Sequence, residues 1–497
     1  MEVQLAAPLA PLAANDESIC AIIAAAKEVD VDERICAFTL ESAQHSPAVA
    51  REKEDEEEEH VCPFTLEPPI DPVTTLCGHV FERAALEQYR VSGLPNSSFC
   101  PLCRRPIMST GAPFFEPSEA ELLYMSWPVM VALMRDPATL KGVARAALAL
   151  QAVDDRTQDG WEGDAAVAAG ILPAIVALLR AHAASAAVQE HACWALSSIT
   201  AGDDAQSDAR AQAAADVGVL PQIVAAMRAH LASAAVQEQA CRTLSSITYG
   251  NCTQGDVRAQ AAADEGALPQ IVAAMRAHSA CAAVQEQACW ALSSVTAGAD
   301  ASGFAREQAA AAAGALHEIV AAMGTHLTSA AIQEQACRAL CNITYGVDAL
   351  RDARKQAAAD AGALLRIVDA MRAHSTSALV QEQACCALIS IIAGTGAQSD
   401  ARAQAAVVAL PQIIDAMRVH SNNAAMQGWA CRALCSITAG TDAKGRARRR
   451  AAAKADALPL IVEAMRLHSA NAEVQARASR ALRTITASDR PRWFART

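Results

Sequence analysis

VLPQIVAAMRAHLASAAVQEQACRTLSSIT, residues 219–248, decides how the chain folds. Ile223, Val224 and Met227 recur at helical spacing up to Arg228–His230, and Val236, Ala240, Cys241, Thr243, Leu244 and Ile247 do so again beyond it. Apolar residues at that spacing mark helices with one buried face. Pro221 belongs near a helix start, where its missing N–H costs nothing. Upstream, Asp208–Asp216 reads as a further helix that ends near Gly218. The stretch and its flank are therefore one unit of three short helices.

The unit is copied. Histidine recurs at His182, His230, His278, His326, His374, His420 and His468, with gaps of 48, 48, 48, 48, 46 and 48. Cysteine keeps the same step at Cys193, Cys241, Cys289, Cys337, Cys385 and Cys431, and Ser479 stands in the last copy. A fixed period of this length predicts stacked helical units, each too small to bury its own apolar face. The expected fold is mostly α, a solenoid of about seven 48-residue repeats over residues 159–490, with degenerate capping helices over 118–158. The recurring histidine is expected to cap the second helix, favoured by the helix dipole, and the recurring cysteine to be a small apolar packing residue.

Composition agrees. Hydrophobic content is 53% with 4% aromatic, which means alanine-rich close packing of helices. The longest uncharged apolar run, residues 165–179, is fifteen residues long and contains Gly170 and Pro173, too short and broken to span a bilayer. Residues 1–17, MEVQLAAPLAPLAANDE, have no basic start, so a secretory signal is not expected. Reduced cysteines in a cytoplasmic or nuclear compartment fit the seventeen thiols. The net charge of −13 is uneven: thirteen Lys/Arg face five Asp/Glu from Gly440 onward. The cluster Lys444, Arg446, Arg448, Arg449 and Arg450 lies in a first helix with few aromatics around it, so nucleic acid is not an expected partner. Residues 1–59 read as a largely disordered segment ending in the acidic linker REKEDEEEE, and 491–497 as a tail.

Residues 60–110 differ in kind. Cys77-x-His79 and, after a further twenty residues, Cys100-x-x-Cys103 supply four thiolate or imidazole donors, a full tetrahedral set for one structural Zn²⁺. Val73–Leu76 and Val80–Phe81 are expected to pair as a short hairpin beside those donors, and Glu82–Arg90 to form a helix.

The run Cys62-Pro63, Asp71-Pro72-Val73, Cys77-Gly78-His79-Val80-Phe81 and Cys100-Pro101-Leu102-Cys103 resembles the RING and U-box group of ubiquitin ligases. In place of a second metal site, the chain has Thr65, Glu82 and Ala85 where further ligands would stand, so the resemblance implies a small α+β module with one zinc. It also implies a ubiquitin-conjugating enzyme and ubiquitin as partners. Phe64, Leu86 and Pro101 match the apolar contact surface, and Arg104 the basic residue that bridges conjugating enzyme and ubiquitin. The SUMO-ligase variant of that fold shares the Cys-Gly-His-Val-Phe run, but its last cysteine pair is usually more widely spaced.

The repeats, with LPxIVxxM and VQEQACxAL, resemble the armadillo type, a right-handed solenoid whose third helices line a groove. That resemblance places the residue after each ladder cysteine on the groove: Trp194, Arg242, Trp290, Arg338, Cys386, Arg432 and Arg480. Trp and Arg are the residues of binding hot spots, so this stripe is the candidate site for a protein substrate. The asparagine row of nuclear-import adaptors is missing, since Ser198 and Ser294 follow the tryptophans and Asn342 follows Arg338. Import-cargo binding is not expected. The order of module and array resembles that of plant-type U-box/armadillo ligases, which implies a ubiquitin ligase; a non-catalytic scaffold and a SUMO ligase are the alternatives.

Overall fold

The joint at Gly218 sets the shape of each repeat. Its φ of 79° is left-handed, a conformation open to glycine at no steric cost, and it turns the first helix, Ala205–Asp216, into the second, Val219–Ala229. The third, Ala234–Thr248, starts at Ser233, whose side chain accepts from the Val236 N–H. Two repeats handle the joint otherwise. Asp456 adopts the left-handed conformation itself, at φ 65°. The repeat with the 46-residue step lacks the glycine; Ala397–Ala405 runs through a 3₁₀ turn, Ala406–Ala409, into Leu410–Val419. The two missing residues are the joint.

The computed structural model describes residues 72–74, 80–82, 126–135, 143–158, 162–250 and 253–487. All of them lie in the second of two units, His60–Thr497. Seven third helices follow one another: Ala186–Thr200, Ala234–Thr248, Ala282–Val295, Ala330–Thr344, Ala378–Ile392, Ala424–Ile437 and Ala472–Thr486. Each packs on the next, and Val143–Thr157 takes the equivalent place before the first. With Trp127–Arg135, that helix forms the expected capping half-unit. Among the described residues the only strands are β1, Pro72–Thr74, and β2, Val80–Glu82, antiparallel with Val73 opposite Phe81. That is the expected hairpin with its ends moved: β1 starts one residue earlier and stops two earlier than expected, and β2 runs on through Glu82, which the sequence assigned to the start of a helix.

The apolar faces meet as the periodicity requires: Ile223, Met227, Val236, Ala240, Cys241, Leu244 and Ile247 are fully buried. Burying a side chain of Leu, Ile or Met size contributes roughly 1.5–3 kcal/mol. Alanine at Ala214, Ala262 and Ala310 lets the first helices approach closely.

What the periodicity did not reveal is a second, polar skeleton. Gln237 is buried, and its Nε2 donates to the carbonyl of Met227 at the end of the second helix and to that of His230, which the Ser233 N–H also reaches. Gln189, Gln285, Gln333, Gln381, Gln427 and Gln475 do the same in their repeats. The ladder histidines do cap the second helices, as expected, but their rings also reach across: His230 Nε2 lies 2.7 Å from the Ala183 carbonyl of the preceding repeat, and His278 2.7 Å from that of Leu231.

A buried arginine closes the other end. Arg306 Nε donates to Val295 O at 2.8 Å, its guanidinium to Ala297 O and, at 3.1 Å, to Asp256 of the preceding repeat. Arg210, Arg258, Arg354, Arg402 and Arg448 stand at the same step, all buried. Two cations of the basic cluster are thus structural: Arg448 bonds Ala439 O and Asp400, and Arg449 bonds Gly440 O. One rung shows compensation. Phe304 occupies the register position of Asp256, and Arg354 pairs instead with Glu307 at 2.5 Å and Asp348 at 2.6 Å. Glu307 Oε1 is buried without a partner, and burial pushes this carboxyl up to about 7 despite Arg354.

Arg306→Met leaves the end of a third helix uncapped and should cost ~3–5 kcal/mol in urea denaturation, the scale of a broken buried pair. Asp256→Asn, whose side chain is 41% exposed, should cost ~0–1 kcal/mol. Equal costs would show that the ion pair, and not the carbonyl capping, carries the rung.

Candidate functional site

The stripe after the ladder cysteines lies on the accessible side of the third helices. Trp194, Arg242, Trp290, Arg338 and Cys386 are half-buried, and Arg432 and Arg480 are exposed, while the cysteine just before each, where present, is buried. The helical period explains the split: the cysteine points into the packed layer, the next residue a hundred degrees away from it. Burial pushes the Cys193 and Cys289 thiols up to about 12, with nearby Glu190 and Glu286 adding to it, so the ladder thiols act as apolar packing groups.

The first half of the stripe is aromatic with acidic neighbours. His191 stacks on Trp194, with ring centroids 6.5 Å apart and planes 6° from parallel. Asp154 accepts from Ser198 across to the capping helix, and burial raises its carboxyl against that bond and the Arg242 charge. Arg338 pairs with Glu334 on its own helix at 3.2 Å.

The second half is cationic and more deeply hollowed. A cleft of about 740 Å³ is lined by Asn342, Tyr345, Cys386, Trp429 and Arg432 among others. A second of about 790 Å³ adjoins it through Arg432 and includes Arg477 and Arg480. Trp429 is the centre: the Arg477 guanidinium lies 4.4 Å and that of Arg432 5.3 Å from its ring centroid, both within cation–π range. Arg477 fits there because residue 428 is glycine; a Cβ would stand 3.1 Å from its Nη1. Tyr345 is 53% exposed on the rim.

Trp429 and Arg477 are absent from the stripe read off the sequence. The signal was present: MQGWAC departs from VQEQAC at three places, two of which put Gly428 and Trp429 where most other repeats hold Glu and Gln. Asn342 spends its amide on the Ser293 carbonyl of the preceding repeat at 2.9 Å, so the one asparagine of the row is a packing residue.

The zinc donors Cys77, His79, Cys100 and Cys103, and the contact residues Phe64, Leu86, Pro101 and Arg104, lie outside the described residues, as do the segments 1–59 and 491–497 and the expected helix Glu82–Arg90 beyond its first residue. Thr74 pairs with Val80, and the segment between these two carries Cys77 and His79. Among the described residues no cluster of His, Cys, Asp or Glu could hold a metal ion, and no helix is long and apolar enough to cross a membrane.

Arg432→Ala should change folding stability by no more than ~0.5 kcal/mol, as for a surface position. Gln285→Leu, which strips the Met275 carbonyl of its side-chain donor and leaves the His278 carbonyl with the Cys281 N–H alone, should cost ~1–3 kcal/mol. Chemical denaturation of both variants checks this, and a large cost at Arg432 would make the stripe a structural feature.

Comparison with known proteins gives the fold its family. A family model described as LRRK2 ARM repeat matches residues 143–360 and, in an overlapping second placement, 256–457, more than half of the chain. No curated protein sequence matches it. Among solved structures, a chain from "A conserved phosphorylation switch controls the interaction between cadherin and beta-catenin in vitro and in vivo" is 13% identical, covers 82% of this chain and 92% of its own length, and superposes with a TM-score of 0.33, too low to carry an argument. The family match and the seven three-helix units agree, and the chain belongs to the armadillo-repeat family.

Proposed function

We propose that the chain is a ubiquitin-protein ligase of the RING/U-box type, in which residues 60–110 receive a ubiquitin-charged conjugating enzyme and the armadillo array holds the protein substrate. The observation that carries the reading is the donor set Cys77, His79, Cys100 and Cys103, with the first pair in the segment between β1 and β2. Two soft or borderline donors in one short connection suit Zn²⁺, which needs no redox chemistry and four ligands. The ion's contribution there is structural: it holds the loops of a small module that has little core of its own.

Such a module needs no nucleophile of its own. Phe64, Leu86 and Pro101 supply an apolar seat for the conjugating enzyme. Arg104 bridges it to ubiquitin with a guanidinium fork that suits two acceptors at once. The substrate lysine then attacks a thioester that is already oriented, so the rate gain is one of positioning. The Trp/Arg stripe and the clefts around Trp429 are the substrate's seat. The free thiols of the array fit a reducing compartment, cytoplasmic or nuclear.

A scaffold is the second reading, favoured by the array itself, because armadillo repeats serve many proteins that transfer nothing. Purified full-length chain, incubated with a panel of charged ubiquitin- and SUMO-conjugating enzymes, separates the readings. The proposal predicts ubiquitin transfer that falls about tenfold or more in Arg104→Ala, the effect of losing one charge-assisted contact, with thermal unfolding unchanged. Transfer of SUMO alone would make it a SUMO ligase, and no transfer from any enzyme would leave the scaffold.

A further inference from the structure

Cys341 and Cys386 stand on neighbouring third helices, Ala330–Thr344 and Ala378–Ile392, and both line the cleft of about 740 Å³. Their sulfurs are 2.7 Å apart, closer than unbonded sulfurs rest and a short closure from the ~2.05 Å of a disulfide bond. The pairing is a departure from the repeat. In register, the same two positions at the other junctions hold Ser197 and Arg242, Ser245 and Trp290, Ser293 and Arg338, Ile389 and Arg432, and Cys435 and Arg480. Two thiols meet at one junction of the array.

We propose that Cys341 and Cys386 are an oxidant-responsive dithiol that closes to a reversible disulfide across the candidate binding face. It is independent of whether the chain transfers ubiquitin. The two sulfurs have different surroundings. Cys386 is half-buried at the cleft wall; the hydrogen bond from Cys341, and after it the charges of Arg432, Arg477 and Arg338, hold its thiol below the ordinary range. That same bond, then burial, push Cys341 well up. Cys386 is therefore the nucleophile and Cys341 the resolving thiol that keeps its proton. Thiolate character with access from a cleft is what selects a cysteine for oxidation. The ladder thiols, fully buried with raised pKa values, lack both.

The oxidant is a hydroperoxide. The Cys386 thiolate attacks one peroxide oxygen, the O–O bond breaks, and hydroxide leaves and takes up a proton, giving a sulfenic acid. The Cys341 sulfur then attacks the Cys386 sulfur; the S–S bond forms, the S–O bond breaks, and the released hydroxide takes the Cys341 proton to leave as water. One hydroperoxide is reduced, two thiols are oxidised, and a dithiol reductant reverses the step by exchange. Closure ties two repeats together at the centre of the stripe and removes the Cys386 thiol from the neighbourhood of Arg432.

The test is peptide mapping of the full-length chain after stoichiometric hydrogen peroxide and alkylation, without reduction. A linked peptide that joins Cys341 to Cys386, abolished by dithiothreitol and absent from Cys386→Ser, is expected. Cys341→Ser should fold, since serine holds that position in three other repeats, and should stop at a Cys386 sulfenic acid that a dimedone probe traps. A link made through Cys385 or Cys435 instead, a Cys386 that stays alkylatable, or its direct passage to sulfinic acid in the unmutated chain would each overturn the proposal.

Discussion

A helix leaves its last carbonyls without partners, and a stack of short helices multiplies the problem at every end. Here each repeat leans on a fixed set of side chains to solve it. The buried glutamine caps the second helix of its own repeat, the histidine ring reaches the loop of the repeat before, and the buried arginine caps the third helix before it. Alanine-rich faces supply the apolar drive but fit many registers. The polar contacts fit one, because a shift by a residue would strand a buried guanidinium and two carbonyls. The contacts close in the 48-residue repeats and in the 46-residue one alike, where His420 still reaches the Ser375 carbonyl and Gln427 still caps its helix.

This arrangement frees one surface. With helix ends satisfied from within, the outer positions of the third helices carry little structural duty, and they vary from repeat to repeat as Trp, Arg or Cys. Where the array departs from its own pattern, at Trp429, Cys341 and Cys386, the departures line one and the same cleft. A packed layer of identical units would have no reason to collect them there.

Much of this was legible in the residues. The histidine step, the glycine joint and the period of apolar residues specify three helices per unit and seven units. The half-unit before them reads as a cap. The hairpin before β2 follows from Val73 and Val80–Phe81. Burial of Arg258 or Gln237 was not legible, because both look like ordinary surface residues of a helix, and only the three-dimensional stack shows that the carbonyls they meet belong to a helix end ten or eleven positions earlier. Histidine was read as a cap from the dipole alone, which misses the contact 47 residues away. Arg448 and Arg449 show the same limit: a basic run is a charged face until two of its members prove to be rungs.

The array explains how the chain would hold a partner, and the proposal that it does more than hold one rests on the donor set of residues 60–110. Everything proposed about transfer depends on Cys77, His79, Cys100 and Cys103 acting as one metal site. Metal content of the purified full-length chain, set beside Cys100→Ala/Cys103→Ala, measures that directly. The account predicts about one zinc per chain, lost in the double variant, as four-donor structural sites bind tightly. A chain that carries no zinc, or the same zinc after both cysteines are removed, would contradict it.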